Sequence, residues 1–392
     1  MAGNTYKILH VVDSMARAGT EHQLVLNLIA LDRTRFENSL CYLYPVDFLA
    51  EEVRRLGIDV FCLGLKGKGQ WLSSIYHFVR LIKTKKIDLV HTNLYEADVV
   101  GGIAARLSGV PAISTLTNPA DATLPFQKQL HVKGYKLWLS SAIQKLVYKT
   151  CHRHFIAVSE HVRKSWIGSG IDEKLISVIP RAVSQDLQQR ATASVVEEMR
   201  RALSLNDNYP VLLNVGRLIP QKGQTYIIEA MPDILERFPK AKLLIAGEGP
   251  FRDELKKTVN NLGLDSAVAL LGTCRDVKSL YQISDIFVFP SLSEGMPGAL
   301  LEAAALGKPC IVADIEPTRE ILEDERSGLF IPQNDSKALA QAVIRLGVNR
   351  EEARTLGLKA QEKVLSHHII NNIVHKLEDL YIQVLENCGR TK

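Results

Sequence analysis

The stretch Asp285–Asp314 reads DIFVFPSLSEGMPGALLEAAALGKPCIVAD and decides how the second half of the chain is organised. Its first residues, Asp285–Pro290, form a short apolar run of β-forming residues, and a run of small residues follows after a polar break. This order predicts a strand, a loop, a short helix and a second strand. Because Pro297 and Gly298 both disfavour helix, we expect the helix to begin no earlier than Ala299.

Two carboxylates flank the predicted start of that helix. Glu294 is expected in the loop, and Glu302 is expected in or near the first helical turn. The first amides of a helix have no intrahelical partner, and the helix dipole adds partial positive charge, so this junction suits an anion such as a diphosphate. Glu302 would then accept a hydrogen bond from a sugar hydroxyl beside the anion. The alternative is that Glu294 is an exposed loop acid and that Glu302 only favours the helix dipole.

The motif EGMPGALLEA, in which seven residues separate two glutamates, resembles the signature of family 4 retaining glycosyltransferases of the GT-B fold. The resemblance implies that Glu294 faces the donor sugar and that Glu302 binds the nucleotide ribose. It extends over nearly the whole chain and is specific in Val211–Asp314. The residues between the two glutamates are also expected at the donor: Gly295, Met296, Pro297, Gly298 and Ala299.

The segment VLLNVGRLIPQKG (Val211–Gly223) predicts a strand that runs into a glycine loop. Arg217 and Lys222 in this loop are two cations beyond a strand end, where they would hold a diphosphate, Arg through its fork and Lys as a point charge. The pattern GRL-x-x-QKG also resembles the diphosphate site of the family, with Gly216 beside it. The alternative is two solvated loop cations. A later segment resembles the one that contacts the base and adds Gly272 and Arg275 as donor-side candidates.

In the first half, apolar strand patterns alternate with helical patterns. The expected strands are Lys7–Val12, Leu40–Leu43, Val60–Leu63, Leu89–His91 and Ala112–Thr115. The expected helices are Leu24–Leu31, Trp71–Lys83 and Asp98–Leu107. This alternation predicts a parallel sheet that is covered on both faces.

The loop after the first strand carries Ala18-Gly19, where the family usually has two glycines that let the backbone approach the donor diphosphate. Only Gly19 matches, and an ordinary tight turn is the alternative. Many relatives carry a catalytic-site His at the position of Thr117. His91 is the nearest substitute, although a structural role is the favoured interpretation for a strand-end His. The acceptor-side candidates are His91, Asn93 and Asn118.

The run Ala122–Ser159 contains no Asp or Glu, while basic and aromatic residues alternate along a mostly helical pattern. Such a composition suits an anionic membrane surface or an anionic acceptor, and a solvated helix face is the alternative. The membrane-surface candidates are Lys128, Lys133, Lys136, Trp138, Lys145 and Lys149. After it, Ser159 is expected to cap a helix. The linker has Arg181-Ala182-Val183-Ser184 where the family commonly has Asn-Gly-Val-Asp.

Length and composition set the outer limits. A chain of 392 residues predicts two domains of nearly equal size, and 46% hydrophobic with 23% charged residues is typical of a globular protein. The six cysteines form no CxxC pair, which indicates a reducing compartment and no structural zinc. No signal peptide or membrane span is expected, so the protein is expected in the cytoplasm, with peripheral attachment to the cytosolic face of a membrane as a further expectation.

Charge is uneven along the chain. Residues 1–185 hold 23 Lys and Arg against 15 Asp and Glu, a net of +8, within an overall net charge of +5. The basic excess therefore belongs to the first half. Such an excess suits an anionic acceptor or surface.

We therefore expect an α/β protein of the GT-B fold, with two Rossmann-like doubly wound domains facing a central cleft. The acceptor-binding domain should span 1–185, joined by the final helix at about 369–392, and the nucleotide-sugar-binding domain should span 186–368. The implied activity is retaining hexosyl transfer from a nucleotide diphosphate sugar to a glycan or lipid-linked acceptor in polysaccharide or glycolipid biosynthesis. The expected catalytic residues are Glu294, Arg217 and Lys222, with no metal, no cofactor and no nucleic acid. The alternatives are a catalytically impaired nucleotide-sugar-binding or docking protein and a related GT-B epimerase or phosphorylase.

Overall fold

The computed structural model describes residues 5–120, 134–188, 192–205, 207–274 and 276–390, except for the side chains of residues 68 and 134–137. The chain divides into two compact units, Met1–Ala182 with Ile370–Lys392, and Val183–Ile369. The division lies within three residues of the boundaries expected from the sequence. The binding roles expected for the two units remain predictions.

The first unit contains a seven-stranded sheet in the order β3-β2-β1-β4-β5-β6-β7, and all of its neighbouring strands are parallel. The sheet grows outward in both directions from β1, so the strand order reverses between β1 and β4. This is the doubly wound arrangement, whose ligands bind beyond the carboxyl ends of the strands at the reversal point. The strands are β1 (Tyr6–Val12), β2 (Phe36–Tyr42), β3 (Asp59–Cys62), β4 (Leu89–Asn93), β5 (Ala112–Leu116), β6 (His154–Ala157) and β7 (Ile176–Val178).

Helices cover this sheet. They are α1 (Gly19–Ala30), α2 (Ala50–Arg55), α3 (Trp71–Lys85), α4 (Tyr95–Leu107), α5 (Gly134–Cys151) and α6 (Glu160–Gly168), and the chain's last helix (Ile370–Asn387) returns to the same unit. Its side chains Ile373, Leu377 and Tyr381 pack into one core with Ile8 and Ile113 of the sheet. The final helix therefore packs on the sheet of the first unit.

The second unit repeats the plan with a six-stranded parallel sheet in the order β10-β9-β8-β11-β12-β13. Its strand order reverses between β8 and β11. The strands are β8 (Val211–Val215), β9 (Lys242–Ala246), β10 (Val268–Gly272), β11 (Ile286–Phe289), β12 (Cys310–Ala313) and β13 (Leu329–Ile331). The helices are α7 (Ala193–Ala202), α8 (Gln224–Arg237), α9 (Arg252–Asn261), α10 (Val277–Ile283), α11 (Gly298–Ala305), α12 (Glu316–Ile321), α13 (Ser336–Val348) and α14 (Arg350–His367); the last helix of the chain is α15.

Helix α1 begins at Gly19, five residues before the expected Leu24, so the predicted start of that helix is wrong. Strand β2 and helix α4 also begin earlier than the sequence pattern predicts, and both have a tertiary reason. Strand β2 starts at Phe36 although Asn38 is polar, because the Asn38 side chain bonds to the buried ring of His10 at 2.9 Å. Helix α4 starts at Tyr95 rather than Asp98, because Asp13, from the loop after β1, accepts from the Ala97 amide at 2.7 Å and caps the helix. Local sequence carries neither partner.

Candidate functional site

In the second unit, the loops that follow β8 and β11 meet where the strand order reverses. Gly223 has a φ of +67°, and a Cβ there would lie 2.2 Å from the carbonyl oxygen of Pro290, so only glycine lets the loops approach this closely. The Leu292 amide donates to the carbonyl of Gln221 at 2.8 Å, and the Gln221 side chain donates to the carbonyl of Ser293 at 2.5 Å. These bonds fix the two loops against each other.

Lys222 and Glu294 form an ion pair at this junction. The Lys222 Nζ lies 2.5 Å from Glu294 Oε1, and the hydroxyl of Ser291 donates to the same oxygen at 2.6 Å. The Glu294 side chain is 9% exposed and the Lys222 side chain 21%, and the Lys222 ammonium also sits 5.9 Å from the centre of the Phe289 ring. Lys222 was expected at the diphosphate and Glu294 at the donor sugar, and in this structure the two side chains bond to each other.

Arg217 stands in the same loop with its side chain exposed, and Gly216 before it is half-buried. A Cβ at Gly216 would make ordinary contact with Lys222 Cδ at 3.8 Å. A cation of this kind is available to an anion that arrives at the loop, while Lys222 is already paired. Arg217 and Lys222 therefore lie in one loop, as expected from the sequence, but Lys222 is in an ion pair and Arg217 is exposed.

Helix α11 opens directly after this loop. It begins at Gly298 with Pro297 at the N-cap position, so the expectation of a start no earlier than Ala299 is wrong by one residue. No side chain caps the helix, and its first intrahelical bond runs from the Leu301 amide to the Pro297 carbonyl at 3.2 Å. The amides that precede Leu301 are the ones that a helix N-terminus offers to an anion. Gly295 and Met296 are buried just before the helix.

Glu302 lies in the second turn of α11, not in the first. The hydroxyl of the fully buried Tyr281 donates to Glu302 Oε2 at 3.1 Å, and it is also 3.1 Å from the Ala299 carbonyl. Burial and the neighbouring carboxylate raise the pKa of Tyr281 well above its usual value, so it remains a donor. Tyr281 therefore orients the carboxylate of Glu302, which was expected from the sequence to bind the ribose. The sequence alone did not identify Tyr281.

Two further donor-side candidates come from the end of β10. Gly272 has a φ of +71°, and its carbonyl accepts from the Gly247 amide at 2.8 Å. Gly247 in turn passes so close to Gly216 that a Cβ there would lie 2.0 Å from the Gly216 carbonyl oxygen. Gly272 is thus tied to the β8 loop through Gly247. Arg275 lies outside the described residues.

In the first unit, Gly19 is the first residue of α1, and the guanidinium of Arg181 lies against it. A Cβ at Gly19 would be 2.6 Å from Arg181 Nη1, and Nη2 donates to the Thr20 hydroxyl at 3.3 Å. A side chain at position 19 would therefore displace the end of the flexible Arg181 side chain. Its expected contact with a diphosphate stays a prediction.

His91 is enclosed in the core of the first unit. Nδ1 lies 2.7 Å from the Tyr381 hydroxyl and Nε2 lies 2.7 Å from the Thr115 hydroxyl. Burial, with His10 and His152 nearby, lowers the pKa of His91 well below its usual value, so the ring is neutral at pH 7. This environment favours the structural interpretation of His91.

Asn93 and Asn118 differ in their surroundings. Asn93 ends β4 at the reversal point of the first sheet and is 5% exposed, and its Nδ2 is buried without a hydrogen-bond partner. The next residue, Leu94, has φ 76° and ψ 160°, a conformation that non-glycine residues rarely adopt and that tends to occur at functional sites. Asn118 is exposed, and its backbone carbonyl accepts from the Trp166 indole at 2.9 Å.

Asp13 is a strand-end residue that the sequence did not single out. It follows β1, caps α4 and lies near two further carboxylates, those of Glu96 and Asp98. Burial, together with these charges, raises the pKa of Asp13 to about 7, although the Ala97 amide opposes the shift. A carboxyl group that titrates near neutral pH therefore stands at the ligand edge of the first sheet.

The acid-free run is described only in part. Lys128 and Lys133 lie outside the described residues, and Lys136 lies in α5 with a side chain that is not described. Trp138, Lys145 and Lys149 are exposed on α5. Ser159 caps α6, as predicted, by accepting from the Val162 amide at 3.1 Å.

The chain has two doubly wound units, and in the second unit a helix N-terminus follows the loop that carries the Lys222–Glu294 ion pair. This combination is typical of a GT-B glycosyltransferase. A model of Glycosyltransferase Family 4 matches residues 8–187, and a model of Glycosyl transferases group 1 matches residues 195–363. The chain belongs to glycosyltransferase family 4.

Similar proteins support this membership. The UDP-Gal:alpha-D-GlcNAc-diphosphoundecaprenol alpha-1,3-galactosyltransferase of Escherichia coli is 31% identical over 87% of this chain and 87% of its own length. The N,N'-diacetylbacillosaminyl-diphospho-undecaprenol alpha-1,3-N-acetylgalactosaminyltransferase of Campylobacter jejuni is 26% identical over 88% of this chain and 90% of its own length. Among solved structures, Anabaena Alr3699/HepE in complex with UDP-glucose superposes with a TM-score of 0.83 at 21% identity, covering 96% of this chain and 99% of that one.

The described residues contain neither a candidate membrane-spanning helix nor a candidate metal site. No helix among them is both long enough and apolar enough to cross a membrane. No group of three or more His, Cys, Asp or Glu side chains in the same residues is arranged to hold a metal ion. The expectation of a metal-independent reaction stays a prediction.

Proposed function

We propose that this glycosyltransferase retains the anomeric configuration and moves a sugar from a nucleotide diphosphate sugar, held by the second unit, to a lipid-linked acceptor, held by the first. The observation that carries the proposal is the Lys222–Glu294–Ser291 cluster beside the exposed Arg217 and the uncapped start of α11. The cluster lies at the reversal point of a doubly wound sheet, where such folds bind ligands. The name of the Escherichia coli relative specifies a UDP-sugar and a diphosphoundecaprenol-linked acceptor, and we propose the same two substrate classes here.

The diphosphate is assigned to three groups of this site. Arg217 supplies an exposed guanidinium that can make two parallel bonds to phosphate oxygens. Lys222 offers the N–H groups that Glu294 does not use, and the first amides of α11 add neutral donors. As the bond to the sugar breaks, negative charge grows on the diphosphate, and donors that are already in place stabilise it.

The sugar is assigned to Glu294. Lys222 and Ser291 both bond Oε1, so we assign Oε2 to a hydroxyl of the donor sugar. A buried carboxylate held in this way would also stabilise positive charge on an oxocarbenium-like ring. Glu302, oriented by Tyr281, is assigned to the ribose.

The acceptor is assigned to the carboxyl edge of the first sheet. The buried Nδ2 of Asn93 can donate a hydrogen bond to the acceptor, and Asp13 provides a carboxyl group at the end of the neighbouring strand β1. A lipid-linked acceptor also requires access to a membrane. We propose peripheral attachment to its cytosolic face, supported by the exposed Lys145 and Lys149 on α5.

A transfer assay tests the proposal. Purified protein would receive UDP-galactose, UDP-glucose, UDP-N-acetylglucosamine or GDP-mannose, together with a short-chain polyprenyl diphosphate sugar, with and without excess chelator. We expect transfer from a UDP-sugar that persists in chelator and gives a product with the donor's anomeric configuration by NMR. Nucleotide binding can be followed in parallel by thermal unfolding. A nucleotide at a hundred times its dissociation constant raises the free energy of unfolding by about 2.7 kcal/mol.

Three outcomes of this assay contradict parts of the proposal. An inverted product would overturn the retaining mechanism. Loss of activity in chelator with rescue by one metal would overturn the assignment of the diphosphate to protein groups alone. Tight nucleotide binding with neither transfer nor donor hydrolysis would favour a catalytically impaired binding protein.

A further inference from the structure

Large apolar side chains are exposed on two helices of the first unit. On α3, Leu72 is 85% exposed and Tyr76 is 66% exposed; on α5, Trp138 is 72% exposed and Leu146 is 63% exposed. Leu139, next to Trp138, is also exposed. Burying such side chains in water-soluble folds is favourable, so several of them on neighbouring helices indicate an interaction surface.

These residues lie on either side of α4. Trp71, which precedes Leu72, packs with its ring centroid 6.4 Å from that of Tyr95 at the start of α4. The Tyr95 hydroxyl donates to the carbonyl of Ser140 on α5 at 3.2 Å, and Trp71, Tyr95 and Ile143 pack against one cluster. The first turn of α3 and the amino-terminal part of α5 are thereby held together through Tyr95. We call the exposed residues of α3 and α5 in this region the two-helix face.

The charge on both helices has one sign. Val60–Ile87 is a second run without Asp or Glu, and it holds six basic residues, as Ala122–Ser159 does. Each run contains one of the two helices in full or nearly in full. The exposed cations of the two-helix face are Arg80 and Lys83 on α3 and Lys145 and Lys149 on α5.

Carboxylates on the neighbouring elements are already engaged. Glu96 at the start of α4 is half-buried and accepts from the Tyr44 hydroxyl, and Asp59 at the start of β3 pairs with Lys85 at 2.6 Å. Asp98 is buried and accepts from Thr92, Ser114 and Tyr148. The exposed cations of the face therefore do not have these carboxylates as competing partners.

Helical spacing places apolar and basic residues in line. Leu72, Tyr76 and Arg80 follow at intervals of four residues, and on α5 Trp138 and Lys145 are separated by two turns. Anionic membranes bind surfaces of this kind. The aromatic rings and leucines enter the bilayer interface, and the long basic side chains reach the headgroups. Neither helix carries Asp or Glu, so the two-helix face itself offers no counter-charge to a basic protein partner.

We propose that the two-helix face docks on an anionic lipid bilayer and that α3 is as necessary for docking as α5. The inference deepens the proposed function, since a lipid-linked acceptor lies in such a bilayer, but docking itself needs no catalysis. Each cation near an anionic surface should contribute about a fivefold change in binding. The loss of two cations from either helix should then weaken binding about 25-fold at low salt.

Vesicle flotation tests this with vesicles of phosphatidylcholine alone or with added phosphatidylglycerol, at low and high salt. The α3 variants are Arg80→Gln with Lys83→Gln, and Leu72→Ser with Tyr76→Ser; the α5 variant is Lys145→Gln with Lys149→Gln. A matched control changes one exposed leucine and two exposed cations of α14 in the second unit: Leu358→Ser, Arg354→Gln and Lys359→Gln. All sites are exposed, so melting temperatures should match that of the wild type.

We expect the wild type and the α14 control to bind anionic vesicles alike, and each charge variant to bind about 25-fold more weakly. The apolar α3 variant should lose binding that high salt does not remove. Wild-type binding that depends on α5 and not on α3, or no binding to anionic vesicles at all, would overturn the proposal. Transfer to a water-soluble acceptor, measured on the same proteins, separates docking from catalysis. Variants that lose docking but keep transfer show that the two-helix face acts in docking alone. Docking without transfer contradicts only the proposed function.

Discussion

The Lys222–Glu294 pair provides the sharpest test of the donor site. We consider Lys222→Met, which removes the charge and keeps the aliphatic length, Glu294→Gln, which keeps the shape and removes the charge, and the double variant. Arg217→Ala serves as the comparison, because Arg217 belongs to the same loop and is exposed. Both cations were expected to act alike, and the structure separates them.

The magnitudes follow from burial. Removing one partner of a buried ion pair costs about 3–5 kcal/mol, and here Lys222 is partly exposed, so the lower end of that range applies to Lys222→Met. Glu294→Gln should cost about 1–2 kcal/mol, since the more exposed ammonium is the group left unpaired. Because the double variant leaves no unpaired charge, the two changes should couple by about 1–3 kcal/mol. Arg217→Ala should remain within about 0.5 kcal/mol of the wild type.

Calorimetry and turnover together decide the outcome. In a unit of this size, each kcal/mol moves the melting transition by about 2–4 °C, so Lys222→Met should lower the transition of the second unit by about 6–12 °C. Arg217→Ala should melt normally and still lose about a hundredfold in turnover. Normal melting of Lys222→Met, or a double variant whose loss equals the sum of the single losses, would refute the view that the pair is a coupled unit.

Three other predictions concern residues that the structure places around the site. Glu302→Ala should weaken the binding of free nucleotide by about 1.5–3 kcal/mol and Tyr281→Phe by about 0.5–1.5 kcal/mol in titration calorimetry; equal affinities in all three proteins would contradict the ribose assignment. The pKa of Asp13 in the folded protein, about 7, lies above its ordinary value of 3.8, so folding favours the protonated form. The free energy of unfolding should therefore fall as pH rises from about 4 to about 7, by up to about 1.4 kcal/mol per pH unit, and Asp13→Asn should remove this contribution in denaturation curves measured across that range. Asn93→Ala should raise the KM for the acceptor about tenfold and leave the donor KM unchanged, since the buried Nδ2 is the group assigned to the acceptor.

Sequence reasoning placed the candidate donor residues at the ends of β8 and β11 because their motifs are local. Arg217 and Lys222 lie in one loop, and the loop between Glu294 and α11 is short, so spacing alone placed them at strand ends. What spacing could not show is that Lys222 and Glu294, 72 residues apart, bond to each other, or that Ser291 and Tyr281 complete their surroundings. Such partners depend on the packing of two loops, which requires the strand order of the sheet.

The first unit was harder to read for the same reason. Helix α4 takes its cap from Asp13, 84 residues earlier, so a search for a local capping residue predicts its start too late. The acid-free run around α5 was recognised because it is long and aromatic. The run Val60–Ile87 was missed, because its significance depends on the contacts that α3 and α5 both make with Tyr95 of α4.

The pairing of Lys222 with Glu294 also divides the work between the two cations. A neutral pair adds little to the long-range attraction of a diphosphate, whereas the exposed Arg217 adds a full charge. Arg217 should therefore contribute to donor binding in the ground state as well as to the chemical step. If the proposed roles hold, Lys222 should share its charge with Glu294 until the sugar bond breaks, and the growing negative charge on the leaving group should then attract the remaining N–H groups of Lys222. An interaction that strengthens in this way acts mainly on the transition state, so the loss of Lys222 should appear in kcat and the loss of Arg217 in both kcat and KM.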